Sequence, residues 1–105
     1  MEFKHKIWLE RDGCVIFGPG RDGLLKAIEE YHSLSAAAKK LKMSYRAAWG
    51  RIKASEERLG MKLVEIDPAK HGMHLTDKAK TLMHCFDQLD QEITDLLNKS
   101  RYRLL

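Results

Sequence analysis

Little in this chain could close a disulfide or hold a metal. Its 105 residues include two cysteines, Cys14 and Cys85, far apart and without ligand spacing, so they read as ordinary thiols in a reducing compartment. Prolines number two, in keeping with a globular composition. No apolar run reaches membrane length, and neither a signal peptide nor a transit sequence is recognisable. The chain therefore reads as cytoplasmic, with no membrane partner. Internal repeats and low-complexity tracts are missing. So are nucleophile–base pairs, paired carboxylates and metal clusters, in a chain short for a concave site. An enzyme is not expected, and no cofactor.

What is present is a globular composition, 44% hydrophobic and 32% charged, with a net charge of +4 and a pI near 9.1. A length of this order suits one modest core, and a basic balance suits an anionic partner. The positive charge is concentrated. Between Ala36 and Lys62 stand eight basic residues (Lys39, Lys40, Lys42, Arg46, Arg51, Lys53, Arg58, Lys62) against two acidic ones (Glu56, Glu57), a local excess of six.

The same stretch has the pattern of two helices and a tight turn. Ser35 is a candidate N-cap, followed by the helix formers Ala36 to Leu41. Lys42-Met43 interrupts, Ser44 caps a second helix, and Gly60 ends it as a C′ residue. Tyr45, Ala48, Trp49, Ile52 and Leu59 recur at helical spacing and predict its buried face. Ala37 and Ala38 allow close approach, with Leu41, Met43 and Ile52 filling the wedge. Arg46, Ala47, Gly50, Arg51 and Lys53 then face outward, small residues among cations, as a helix needs to approach base edges. This is a helix-turn-helix pattern.

Around it, Phe3–Glu10 and Cys14–Phe17 flank Arg11-Asp12-Gly13, a hairpin signal. Gly18-Pro19-Gly20-Arg21-Asp22-Gly23 matches G-x-G-x-x-G, but no acidic residue lies about 20 positions on and no parallel strand returns, so a dinucleotide site is not expected. Glycines for a bend and a helix from about Arg21 to His32 suffice, with Leu24, Leu25, Ile28 and Tyr31 buried. Lys62–Asp67 and Met73–Leu75 predict a second hairpin, the wing of a winged helix, with Lys70 and His71 at its tip. His71-x-x-His74 lacks a third metal ligand and reads as wing-tip polarity.

Thr76 caps the last helix, where Leu75, Ala79, Leu82, Phe86, Leu89, Ile93 and Leu96 hold a heptad seam. Five acids against two lysines between Asp77 and Asn98 set it apart from the basic motif. About 22 residues make a rod of roughly 33 Å, longer than the core needs. Part of the seam (Leu82, Phe86, Leu89, Ile93, Leu96) is expected to meet a second copy, giving a homodimer that reads two half-sites. The basic tail after Asn98 is expected to fray.

The expected fold is mainly α with small β (α+β): a winged helix-turn-helix spanning 1–105 as one domain. Its parts are an N-terminal β-hairpin (1–18), the helix-turn-helix core and wing (20–75) and a long C-terminal dimerisation helix (76–99).

The succession Gly18-Pro19-Gly20-Arg21, Ser33-Leu34-Ser35-Ala36-Ala37-Ala38, Met43-Ser44-Tyr45-Arg46-Ala47-Ala48-Trp49, Leu63-Val64-Glu65 and Leu75-Thr76 resembles the N-terminal DNA-binding domain of ModE-type molybdate-responsive regulators. The resemblance covers almost the whole chain, and the Met43–Trp49 string is its most specific part. The central motif is also similar to the LysR-type winged helix, although LysR-type chains start at the first helix without a hairpin. The resemblance implies a prokaryotic regulator that binds double-stranded DNA as a homodimer, with Ser44, Tyr45 and Arg46 touching DNA. Three departures stand out: molybdate-binding domains are not in this sequence, Asp67–Gly72 replaces a glycine-rich wing, and Gly50 replaces an acidic residue after the tryptophan. Expected DNA-binding residues are Ser35, Lys39, Lys40, Ser44, Tyr45, Arg46, Ala47, Gly50, Arg51, Lys53, Lys70 and His71. The alternative is a winged-helix protein-interaction module that has lost DNA binding.

Overall fold

A computed structural model describes residues 1–104. Two short strands, β1 (Leu9–Arg11) and β2 (Cys14–Phe17), are followed by helices α1 (Pro19–Tyr31), α2 (Leu34–Lys40) and α3 (Tyr45–Leu59). Strands β3 (Val64–Ile66) and β4 (Met73–Leu75) form the wing, and α4 (Asp77–Leu104) closes the chain. Both sheets are two-stranded and antiparallel, Leu9 facing Phe17 in the first and Val64 facing Leu75 in the second. This is a winged helix-turn-helix.

Local chemistry sets most of the boundaries. Asp12 (φ 50°) and Gly13 (φ 79°) make the turn between β1 and β2, with both central residues at positive φ as a type I′ turn demands. The Ser44 hydroxyl accepts the Ala47 N–H at 3.0 Å, and Gly60 ends α3 at φ 68°. The Thr76 hydroxyl accepts the Ala79 N–H at 3.1 Å while donating to the Lys62 carbonyl at 2.8 Å.

Several boundaries differ from expectation. The cap of α2 is Ser33, not Ser35: its hydroxyl accepts the Ala36 N–H at 3.1 Å from an extended backbone. Leu34 is then already helical and buried, so Ser35 falls within the first turn. Helix α1 starts two residues early because Pro19 is suited to the first helical position. Phe3–Trp8 is not strand. The four-residue β2 pairs only as far as Leu9, and the preceding segment leans on α4 instead, His5 Nε2 lying 2.7 Å from Asp90 Oδ1. The basic tail is helical too, and α4 at 28 residues is a rod of about 42 Å.

The core gathers Ile16 and Phe17 of β2, Leu24, Leu25 and Ile28 of α1, Ala37 and Ala38 of α2, Ala48 and Ile52 of α3, and Leu63, Leu75 and Ala79. Leu82 and Phe86 of α4 are half-buried against it, Phe86 meeting Phe17 edge-on at 5.2 Å. Tyr31 and Leu41, expected inside, are exposed. Lys40 Nζ instead stands 5.2 Å from the Tyr31 ring centroid.

Beneath α4, Lys26 bridges Asp22 at 2.9 Å and Asp87 at 2.8 Å. Burial, then the neighbouring Asp87 carboxylate, pushes Asp22 up to about 6, with Lys26 pulling the other way.

Candidate nucleic-acid interface

Helix α3 is positioned by polar groups as much as by apolar ones. Its buried stripe is Ala48, Ile52, Ser55 and Glu56: of the predicted residues Ala48 and Ile52 are buried and Leu59 is half-buried against the core, but Tyr45 and Trp49 are not part of it. The Ser55 hydroxyl donates to the Ile16 carbonyl at 2.5 Å. Glu56 Oε2 accepts the N–H groups of Leu63 at 2.7 Å and Val64 at 3.3 Å, tying the helix to the wing. These contacts turn α3 so that Tyr45 is 56% and Trp49 38% exposed. No apolar pattern could have announced them.

The outward face of α3 begins with Ser44, Tyr45, Arg46 and Ala47 at its open first turn and continues through Trp49 and Gly50. One flank meets the wing. There Trp49 and Lys53 line a cleft with Val64, Ile66 and Met73, and Lys53 Nζ lies 4.4 Å from the Trp49 ring centroid and 3.0 Å from Glu56 Oε1. The other flank meets the start of α1. There Arg51 Nη1 comes within 3.5 Å of where a Cβ on Gly20 would stand.

The expected contact residues are therefore not equivalent. Tyr45, Arg46, Ala47 and Gly50 share the exposed face of α3, with Ser44 as its cap, while Ser35 and Lys39 are exposed on α2. Lys40 is tied to Glu30 at 2.8 Å, and Lys53 to Glu56. Arg51 turns toward α1. Lys70 and His71 are exposed at the wing tip, where the Asp67 side chain accepts the Ala69 N–H at 2.8 Å and shapes the loop. His74, the other half of the histidine pair, stacks on His32 at 4.3 Å and donates from Nε2 to the His71 carbonyl at 2.9 Å. Sequence reasoning missed Arg21, which joins Arg51 beside the Gly18-Pro19-Gly20 bend.

Residues 23–80 match the family model of the bacterial regulatory helix-turn-helix proteins of the LysR family. The chain belongs to that family. Its fold is similar to the CbnR DBD in its DNA complex, with TM-score 0.63 and 22% identity over 82% of this chain and 97% of that one. It is also similar to the BenM DBD bound to benA site 1 DNA, with TM-score 0.62 and 19% identity over 81% and 93%. ArgP from Mycobacterium tuberculosis gives TM-score 0.57 and 25% identity over 77% of this chain and 30% of that one. Among curated proteins, the molybdenum-pterin-binding protein MopB of Rhodobacter capsulatus is 33% identical over 95 residues. That match takes in 88% of this chain and 35% of MopB.

Proposed function

We propose that this chain is a sequence-specific, DNA-binding transcriptional regulator of the ModE type that acts as a homodimer and not as an enzyme. The observation that carries the reading is the exposed, cationic and sparsely filled face of α3, open at its first turn and flanked by the wing. Arg46 reaches a base edge from there, with Ser44 and Tyr45 at phosphate or base. Ser35, Lys39 and Lys40 meet the backbone from α2. Ala47 and Gly50 keep the helix close to the groove floor, Arg51 and Lys53 hold its flanks, and Lys70 and His71 extend the wing. The Met43–Trp49 string and the likeness to MopB support the ModE-type assignment, and residues 1–105 act as one domain. Such a regulator works in the prokaryotic cytoplasm.

The test is a fluorescence-anisotropy titration of random-pool duplex DNA at about 50 and 200 mM salt, parent against Arg46→Ala. Binding by the parent should weaken steeply with salt, and the operator then selected should lose about 1–3 kcal/mol with the variant, as a bidentate guanine contact would. Equal affinity of the two proteins for the operator would remove Arg46 from the base-reading role. A parent that ignores duplex at low salt and holds a stoichiometric protein partner would favour the interaction-module reading.

The dimer rests on α4. Leu82 and Phe86 are half-buried within the chain, but Leu89 is 50% and Leu96 60% exposed, with Ile93 between them half-buried. Burying this line against a second copy removes apolar surface from water. Sedimentation of Leu89→Lys/Leu96→Lys should give a monomer where the parent gives a dimer, with helicity unchanged. A variant that remains dimeric would move the interface elsewhere.

A further inference from the structure

Three arginines from two helices gather near the Gly18-Pro19-Gly20 bend, and no carboxylate among the described residues pairs with any of them. Arg21 comes from the first turn of α1, Arg51 from the middle of α3 and Arg58 from its last turn. None of the ion pairs among the described residues involves any of the three. Arg58 is held by a backbone carbonyl, its Nη1 donating to Val15 at 2.5 Å, which leaves its charge uncancelled. Arg21 is half-buried, and its Nε is fully buried without a hydrogen-bond partner. Burial lowers its guanidinium below the ordinary arginine value, and the charges of Arg58 and Arg51 act in the same direction.

The cluster opens onto a cavity of about 280 Å³, which Lys6, Trp8, Gly18, Gly20, Arg21 and Arg51 line. Gly18 supplies no side-chain cap to α1, so the first-turn amides are also open to an acceptor. Partly desolvated like charges of this kind raise the energy of the empty site and lower it when an anion enters.

The position of the site identifies the anion. A helix seated in the major groove has a sugar–phosphate backbone on each side, the groove being about 12 Å wide. On α3, the wing stands on one flank and this cluster on the other. We propose that Arg21, Arg51 and Lys6, with the Gly18–Gly20 bend, form a clamp for a backbone phosphate of the bound duplex, on the flank opposite the wing. This rests on the DNA-binding reading and adds to it Arg21, Lys6 and the start of α1. It also accounts for a glycine-rich bend that no dinucleotide explains.

The experiment measures duplex affinity across a salt series for the parent, Arg21→Gln and Lys6→Gln, with a thermal melt of each protein. Lys6 is exposed, so its variant carries the test should Arg21→Gln fail to fold. Each lost phosphate contact lowers the slope of log K against log salt by about 0.9. The variants should show that loss, and should weaken selected and random duplexes by the same factor, about three- to tenfold. A parent that binds duplex with both variants matching its slope would overturn the clamp and leave the regulator reading intact. A parent that binds no duplex would remove both. Inorganic phosphate raising the melting temperature of the parent but not of Arg21→Gln, with duplex slopes unchanged, would make this a free-anion site and overturn the duplex assignment.

Discussion

Gly72→Ala should lower the melting temperature by roughly 10 °C or more, although the substitution adds one methyl group at an exposed position. Gly72 has φ 83° and faces the end of α1, where a Cβ would stand 2.2 Å from the His32 carbonyl oxygen. The obstacle is backbone and cannot swing aside. That carbonyl accepts the Met73 N–H at 2.8 Å, and His32 itself lies at φ 53° as the cap of α1, so the wing loop is seated on a helix end. An alanine must either keep the left-handed conformation at a cost of about 1–2 kcal/mol and collide, or lift the loop and lose the Met73 hydrogen bond, worth about 1 kcal/mol. With the collision counted as overpacking of about 1–3 kcal/mol, the first course costs roughly 2–5 kcal/mol, a large part of a small domain's stability. At about 4–8 °C per kcal/mol, differential scanning calorimetry reads it directly. Gly13→Ala is the control: its φ is 79° but nothing lies within 4 Å of the added carbon, so only the strain remains. Equal losses for the two variants would show that the His32 contact carries no weight.

That contact could not be read from the sequence, and the reason separates what was legible from what was not. Asp12-Gly13, Ser44, Gly60 and Thr76 act on their immediate neighbours, so residue type and position were enough to place one turn and three helix ends. The small residues Ala37 and Ala38 and the apolar Ile52 likewise predicted the packing of the central helix pair, although Leu41, expected in the same wedge, is exposed. Distance in sequence defeats the same reasoning. Phe3–Trp8 has the composition of a strand, but a strand needs a partner, and β2 is too short to supply one. Ser33 and Ser35 are equally good caps on paper, and burial of Leu34 decides between them. Tyr45 and Trp49 fit an apolar stripe only while Ser55 and Glu56 are taken for surface residues. Once those two find backbone partners in β2 and the wing, the helix is rotated and its aromatics join the outward face.

The candidate site was legible to a similar depth. The excess of positive charge located it, and helical spacing put Arg46, Ala47 and Gly50 on one side. The division of labour among the cations was not visible, because it depends on carboxylates elsewhere in the chain. Glu30 takes Lys40 and Glu56 takes Lys53, whereas Arg51 faces two more arginines. A sum of charges along the chain treats these positions alike. Their surroundings do not.

Glu56 is the residue on which both the wing and the rotation of α3 depend, and Glu56→Ala should cost about 3 kcal/mol in urea unfolding at neutral pH. The carboxylate is 8% exposed and accepts the Leu63 and Val64 N–H groups just where the chain leaves α3 for the wing. Alanine leaves those two amides buried beside a small void and releases Lys53. Glu56→Gln retains an acceptor for Leu63 but not the charge, and should cost less. The pH dependence tells the two effects apart. Burial by itself would raise the Glu56 pKa, but the Leu63 N–H, Lys53 and the Val64 N–H together hold it below the usual glutamate value. A carboxyl group depressed in the folded state contributes stability above its unfolded pKa and loses it as pH falls through the folded one. The parent should therefore lose its advantage over Glu56→Gln as pH drops from about 5 to about 3, while the deficit of Glu56→Ala persists in part because its amides remain unpaired at any pH. A gap between parent and Glu56→Gln that stays constant over that range would mean that shape, and not charge, is what Glu56 supplies to the junction.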